Sequence, residues 1–251
     1  MFAIKGCHPF PTNANPCKTD VMTVADYIAL AFFITLWGAF NWLTSGERTF
    51  KRVSVTRAMT MHRSNWIRNS LHRDLKMIDT SIMAGLQNGT AFFGSTSLLA
   101  LGSSFALLGA TEQAQALFAD LPSIFHSSRT AFELKVGGLS AIFAYSFFKF
   151  GWSYRLFNYC SILFGALPMQ ADALKDPHAA NLAAERVIAM NVIAAKSFNA
   201  GLRGLFLSIG YLGWFVNAYV FAAMSVFVFT VLIRRQFFSE ARNALLRGLN
   251  I

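Results

Sequence analysis

Residues 79–109 read DTSIMAGLQNGTAFFGSTSLLALGSSFALLG, and after Asp79 the run carries no charge. From Ile82 to Leu108 it exceeds the ~20 apolar residues that a helix needs to cross a bilayer, so it reads as a transmembrane helix. Its composition is not that of a lipid-facing span. Gln87, Asn88, Thr90, Ser95, Thr96, Ser97, Ser103 and Ser104 alternate with Gly85, Gly89, Gly94 and Gly102. Small and polar residues of this kind let membrane helices approach closely and share hydrogen bonds. Ser81, Gly85, Asn88, Ser95 and Gly102 fall near one line at heptad spacing, which predicts the seam along which this helix meets others.

The composition around it agrees. Hydrophobic residues make up 55% of the chain and charged residues 14%, with a mean hydropathy of +0.43, whereas soluble domains carry about 25% charged residues. A formal charge of +10 would point to nucleic acid in a soluble chain. Here the basic residues sit beside apolar spans and read as topology signals and contacts to anionic lipid headgroups, so no nucleic-acid partner is expected.

Working outward, a first span covers Val24 to Leu43, with Trp37 and Trp42 toward its second end, where aromatic rings favour the membrane interface. The most basic stretch follows. Arg48, Lys51, Arg52, Arg57, Arg63, Arg68, Arg73 and Lys76 face only Glu47 and Asp74, which assigns this segment to the cytoplasm and the N-terminus to the outside. Within it, Ile67, Leu71, Leu75 and Ile78 form a helical stripe with Arg68, Arg73 and Lys76 largely off it. Two readings stand for that helix: a basic interfacial helix whose Arg63, Arg68, Arg73 and Lys76 touch lipid headgroups, or a solvated helix packed on a neighbour.

After the second span, Ala110 to Thr130 reads as an external loop with a short helix ending at Pro122. A third helix runs from about Leu134 to Leu167, longer than one perpendicular span requires, and so extends past the bilayer on the cytoplasmic side. Pro168 stops it. Asp176-Pro177 then offers a cap and first-position proline for a helix over Ala179–Phe198 that returns alongside. A fourth span is expected from Gly204 to Ile233, with Gly210 and Gly213 read as close packing. That count puts the C-terminus outside, although Arg234, Arg235, Arg242 and Arg247 run against the usual charge bias.

The expected fold is all-α: a polytopic membrane helical bundle of four transmembrane helices with cytoplasmic helical extensions. Residues 1–22 form a polar tail, 23–235 the membrane domain with a basic segment 45–80 and an extension 156–203, and 236–251 a basic tail. The tail holds Cys7 and Cys17, which could pair if it lies outside, and Met22 stands just before the first apolar run as an alternative start.

Three stretches carry a family likeness: Asp79 with residues 86–96 (LQNGTAFFGST), residues 144–150 (AYSFFKF) followed by Arg155, and Ser197 to Leu207. Together they resemble the family called domain of unknown function 599, membrane proteins of bacteria and plants, over about Thr23 to Arg235. The resemblance implies a multi-span membrane protein and no particular reaction; the expected location is the bacterial inner membrane.

Ionisable and polar residues within a membrane are costly, and so they are the places to look for function. Asp79, Lys149, Arg155, Asn199 and Arg203 are expected at similar depth, at the cytoplasmic end of the bundle. One reading is an ion gate in which Asp79 pairs with Lys149 or Arg203 while Gln87, Asn88, Ser95 and Thr96 line a path beyond. The preferred reading is structural: the same pair clamps helices and the same amides and hydroxyls bond across them. The five histidines are scattered without carboxylates at ligand spacing, and no nucleophile elbow, phosphate loop or dinucleotide fingerprint occurs. No catalytic, cofactor or metal residues are therefore assigned. The sequence leads to a non-enzymatic component that supports a membrane complex, as a homo-oligomer or with a partner membrane protein; a small-ion channel or transporter is the alternative.

Overall fold

The structure, a computed structural model, describes residues 22–45, 53–113 and 128–248. Helices α1 (Val24–Ser45), α2 (Val55–Ser70), α3 (Met77–Gly109), α4 (Arg129–Gly165), α5 (Gln170–Lys175), α6 (Pro177–Leu212), α7 (Ala218–Phe237) and α8 (Glu240–Leu246) account for nearly all of them. The Cys7 and Cys17 pairing lies outside the described residues, as does most of the short loop helix expected before Pro122.

Side-chain caps set the helix starts. Ser54, Ser128, Asn217 and Ser239 accept hydrogen bonds from backbone amides three residues on. Asp176 does the same at the head of α6, accepting from the Ala179 amide at 3.0 Å with Pro177 in the first turn, as the sequence predicts.

The long helices α3, α4 and α6 form an antiparallel spine. Down the α3–α4 contact, Ser140 donates to Ser104 at 2.7 Å, Gly94 faces Phe150, and the Gln87 amide donates to Asn158 at 2.8 Å and Ser161 at 3.0 Å. Down the α4–α6 contact, Gly138 faces Tyr211, Ser146 faces Gly204, and Ser153 donates to the Ala194 carbonyl at 2.8 Å. Two apolar cores are stacked along this spine. In one half α1 and α7 close around Phe33, Phe40, Leu207, Tyr211, Trp214 and Phe221. In the other half α2 takes their place and buries Ile67 and Leu71 against Met83, Cys160, Phe164 and Val187.

The seam of α3 differs from the expectation. Ser81, Gly85, Asn88, Ser95 and Gly102 all face outward, while the buried line is Met83, Thr90, Ser97, Ser104 and then Thr111. Both lines have heptad spacing, and hydropathy does not choose between them. On the buried line the hydroxyls are satisfied on their own helix, Thr90, Ser97 and Ser104 donating to the carbonyls of Leu86, Phe93 and Leu101 at 2.7–2.8 Å, as exposed Thr96 and Ser103 also do.

The predicted span from Gly204 to Ile233 is two helices. Helix α6 ends at Leu212, a 3₁₀ turn occupies Gly213–Phe215, and Asn217 restarts the chain as α7 in the reverse direction. The glycines permit the reversal: a Cβ on Gly213 would stand 3.0 Å from the Val220 carbonyl, and one on Gly210 3.3 Å from the Ser225 Cα. Consequently α7 brings the C-terminus back to the end where α2 lies. Gln236 donates to Thr56 at 2.7 Å, Arg242 to the Val53 carbonyl at 2.7 Å, and His62 meets the Leu245 carbonyl at 2.8 Å. The expected position of the C-terminus, opposite the basic segment, is thus overturned.

Four helices are long and apolar enough to cross a membrane: Val24–Leu43, Met77–Gly109, Arg129–Gly165 and Ala218–Leu246. The second half of α6 runs beside α4 and packs on α1 and α7 through Leu207 and Tyr211, with Ile209 and Leu212 exposed. The 20-residue apolar run of α1 matches the ~30 Å hydrocarbon core of a bilayer. Exposed aromatic residues mark both its ends, Tyr27 and Tyr219 at one, Trp42 and Trp152 at the other.

Candidate functional site

At the level of Trp42 and Trp152, α6 presents Lys196, Asn199, Ala200 and Arg203 at three- and four-residue spacing along one face. Helix α4 contributes Tyr145 and Lys149, one turn apart, and α1 and α2 contribute Asn41 and Thr56. Together they enclose a cavity of about 400 Å³, within the size range of small-molecule sites. The Lys149 ammonium sits 5.5 Å from the centre of the Tyr145 ring, and the Arg203 guanidinium 5.9 Å from that of Phe40. Beyond Thr56, Asn199 and Arg203, which line both, lies a second cavity of about 270 Å³ that adds Arg235, Gln236 and Ser239.

Four cations, Lys149, Lys196, Arg203 and Arg235, thus line two adjoining cavities, with hydroxyls and amides between them and, among the described residues, no carboxylate. Among those residues Lys149 and Lys196 form no ion pair. A planar guanidinium and flexible ammonium groups around one cavity can surround an anion's oxygens; a phosphate or carboxylate is the chemistry they fit.

Of the residues predicted as one polar cluster, Lys149, Asn199 and Arg203 do converge. Asp79 does not join them. It is fully buried in the first turn of α3, where it accepts from the Trp66 indole at 2.7 Å and pairs with Arg73. Trp66 stacks on Phe164, and Phe164 lies 15 residues beyond Lys149 on α4, about 22 Å at 1.5 Å per residue. Gln87 is held by Asn158 and Ser161, and Asn88, Ser95 and Thr96 lie on the exposed face of α3, outside both cavities. Arg155 is exposed and donates to the Tyr159 hydroxyl at 2.6 Å.

The four cations expected at lipid headgroups are engaged within the chain. Arg63 donates to Asn191 at 2.5 Å, Arg68 pairs with Glu185 at 2.7 Å, Arg73 pairs with Asp79, and Lys76 donates to the carbonyls of Leu167 at 3.2 Å and Pro168 at 2.9 Å. Burial pushes the Arg63 guanidinium and the Lys76 ammonium below their ordinary ranges, the charge of Asp79 partly opposing this at Lys76. Of the two readings for α2, the packed helix describes these contacts.

Sequence reasoning left out Lys196, Tyr145, Asn41, Thr56 and Arg235. The spacing of Lys196, Asn199 and Arg203 could have grouped them on one face; the contributions of α1 and α2 had no local signal. It also left out a buried group at the opposite end. There Trp214 donates its indole N–H to Asp26, Lys135 lies 3.9 Å from the same carboxylate, and its ammonium stands 5.7 Å from the Trp214 ring.

The fold and this site define a polytopic helical membrane protein with a cationic pocket at the end of the bundle that Trp42 and Trp152 mark. The chain belongs to the family described as "Protein of unknown function, DUF599", which it matches over residues 28–241. No curated protein and no solved structure matches it.

Proposed function

We propose that this protein is a non-enzymatic component of the bacterial inner membrane that holds an anionic lipid headgroup at its basic end and supports a membrane complex through helix packing. The observation that carries this reading is the pocket of Lys149, Lys196 and Arg203 at the depth of Trp42 and Trp152, where headgroups lie. With the C-terminal arginines returned to the side of α2, the positive-inside bias orients the whole basic end to the cytoplasm and the N-terminus outward. The outward Gly85, Asn88, Ser95 and Gly102 face of α3 is the surface on which a second copy or a partner helix would pack, since such side chains are poorly suited to lipid.

Native mass spectrometry of the protein extracted from mixed-lipid nanodiscs tests the headgroup reading. Phosphatidylglycerol should be retained in preference to phosphatidylcholine, and Lys149→Gln with Arg203→Gln should abolish the preference. Equal retention of both lipids by the unmodified protein would refute it. Small-ion passage is the second reading, favoured by the two adjoining cation-lined cavities that share Thr56, Asn199 and Arg203. It keeps Lys149 and Arg203 of the expected gate without Asp79, and flux into liposomes that depends on those two residues would promote it.

A further inference from the structure

A separate apolar crevice lies next to the cationic pocket, across one aromatic pair. Between α1 and α4, on the pocket side of which Trp37 and Tyr145 meet edge to face with centroids 5.3 Å apart, lies a cavity of about 430 Å³. Its walls are Leu30 and Ile34 of α1 and Leu134 and Ala141 of α4, Tyr211 forms its floor, and Trp214 stands at its far end, where Asp26 and Lys135 join the two helices. Trp37 lines this crevice and Tyr145 lines the pocket, so the aromatic pair marks the boundary between the apolar and the cationic compartments.

We propose that the pocket and the crevice together form one seat for an intact anionic glycerophospholipid, its phosphate among Lys149, Lys196 and Arg203 and one acyl chain along the α1–α4 crevice. This deepens the headgroup reading above and rests on it. The crevice runs from the Trp37–Tyr145 pair toward Trp214 at the opposite end of the bundle, and an acyl chain, which occupies about half of the ~30 Å hydrocarbon core, fills its near part beside Ile34 and Ala141. Polarity agrees, because the cations lie at the interface and the apolar walls run inward from them. A soluble anion would use the pocket and leave the crevice idle. A phospholipid uses both, and the order of the compartments follows the order of its parts.

The test separates the two compartments. Ala141 is exposed on the crevice wall, so Ala141→Phe fills the crevice without displacing a buried group. The probes are dioleoyl-phosphatidylglycerol and its dihexanoyl analogue, with native mass spectrometry reading retention and thermal unfolding in detergent confirming the fold. The unmodified protein should retain the long-chain lipid, and Ala141→Phe should cut that retention about tenfold, equivalent to losing two or so buried methylenes, while leaving the short-chain analogue unaffected. Lys149→Gln with Arg203→Gln should lose both. Unchanged long-chain retention by folded Ala141→Phe, with loss in the Lys149 and Arg203 variant, overturns the crevice and keeps the headgroup reading. Unchanged retention in both variants overturns both, and equal retention of the dihexanoyl and dioleoyl lipids by the unmodified protein overturns the crevice alone.

Discussion

The Trp214 indole donates to the Asp26 carboxylate at 2.7 Å, joining the turn after α6 to the first turn of α1 across 188 residues of sequence. Thr23 holds the other carboxylate oxygen, through its hydroxyl at 2.7 Å and its amide at 3.0 Å, and Lys135 supplies the opposing charge from α4. One side chain therefore caps α1 and fixes three separate segments at one level. Asp26→Ala would leave Lys135 buried without its counter-charge. The expected loss is about 3–5 kcal/mol, as for breaking other buried pairs, with much of it restored by adding Lys135→Met. Denaturation in mixed micelles measures both; an Asp26→Ala protein as stable as the parent would contradict this role.

Gly138 is required by the close approach of Tyr211. A Cβ at Gly138 would lie 2.0 Å from the Tyr211 hydroxyl, so Gly138→Ala should cost about 1–3 kcal/mol through overpacking despite the better helix propensity of alanine. Tyr211→Phe removes the clashing oxygen and should recover part of the loss in the double variant. Additive effects of the two substitutions would show that the contact is not the cause.

Gly85 presents the opposite case, with nothing within 4 Å of its ideal Cβ. Gly85→Leu should leave protomer stability within about 0.5 kcal/mol yet lower the assembled mass if the α3 face is an oligomer contact. Light scattering coupled to size exclusion reads that mass. An unaltered oligomer would remove this face from the interface.

Asp79 belongs to the half of the molecule away from the pocket. Asp79→Asn removes the charge that Arg73 and the Trp66 indole meet, and should destabilise that half by about 1–3 kcal/mol, the scale of a hydrogen bond to a charged group. Hydrogen exchange should quicken in α2 and the first turns of α3, with phosphatidylglycerol retention unchanged. Loss of retention without faster exchange would instead return Asp79 to the binding site.

The helices of this bundle were legible where local chemistry marks them. Asp176-Pro177 announced the head of α6, the uncharged run after Asp79 announced α3, and the lack of proline before Pro168 announced the length of α4. The reversal after Leu212 was not legible, because residues 213–217 carry no proline and no charge, and Asn217 alone signals the new cap. Arg63, Arg68 and Lys76 were recognisable as a basic pattern. Their partners, Asn191, Glu185 and the carbonyls of Leu167 and Pro168, lie far along the chain, where no periodicity connects them. The pocket was half legible for the same reason: α4 and α6 supply its charges at helical spacing, whereas Asn41 and Thr56 arrive through tertiary packing.

Helices α4 and α6 pass from the membrane-level core to the core around α2 without a break, each about 54 Å long at 1.5 Å per residue. One uninterrupted helix pair therefore joins the pocket beside Lys149 and Arg203 to the core that α2 closes, so the two ends of the molecule share a single support and neither can be repositioned without the other's helices.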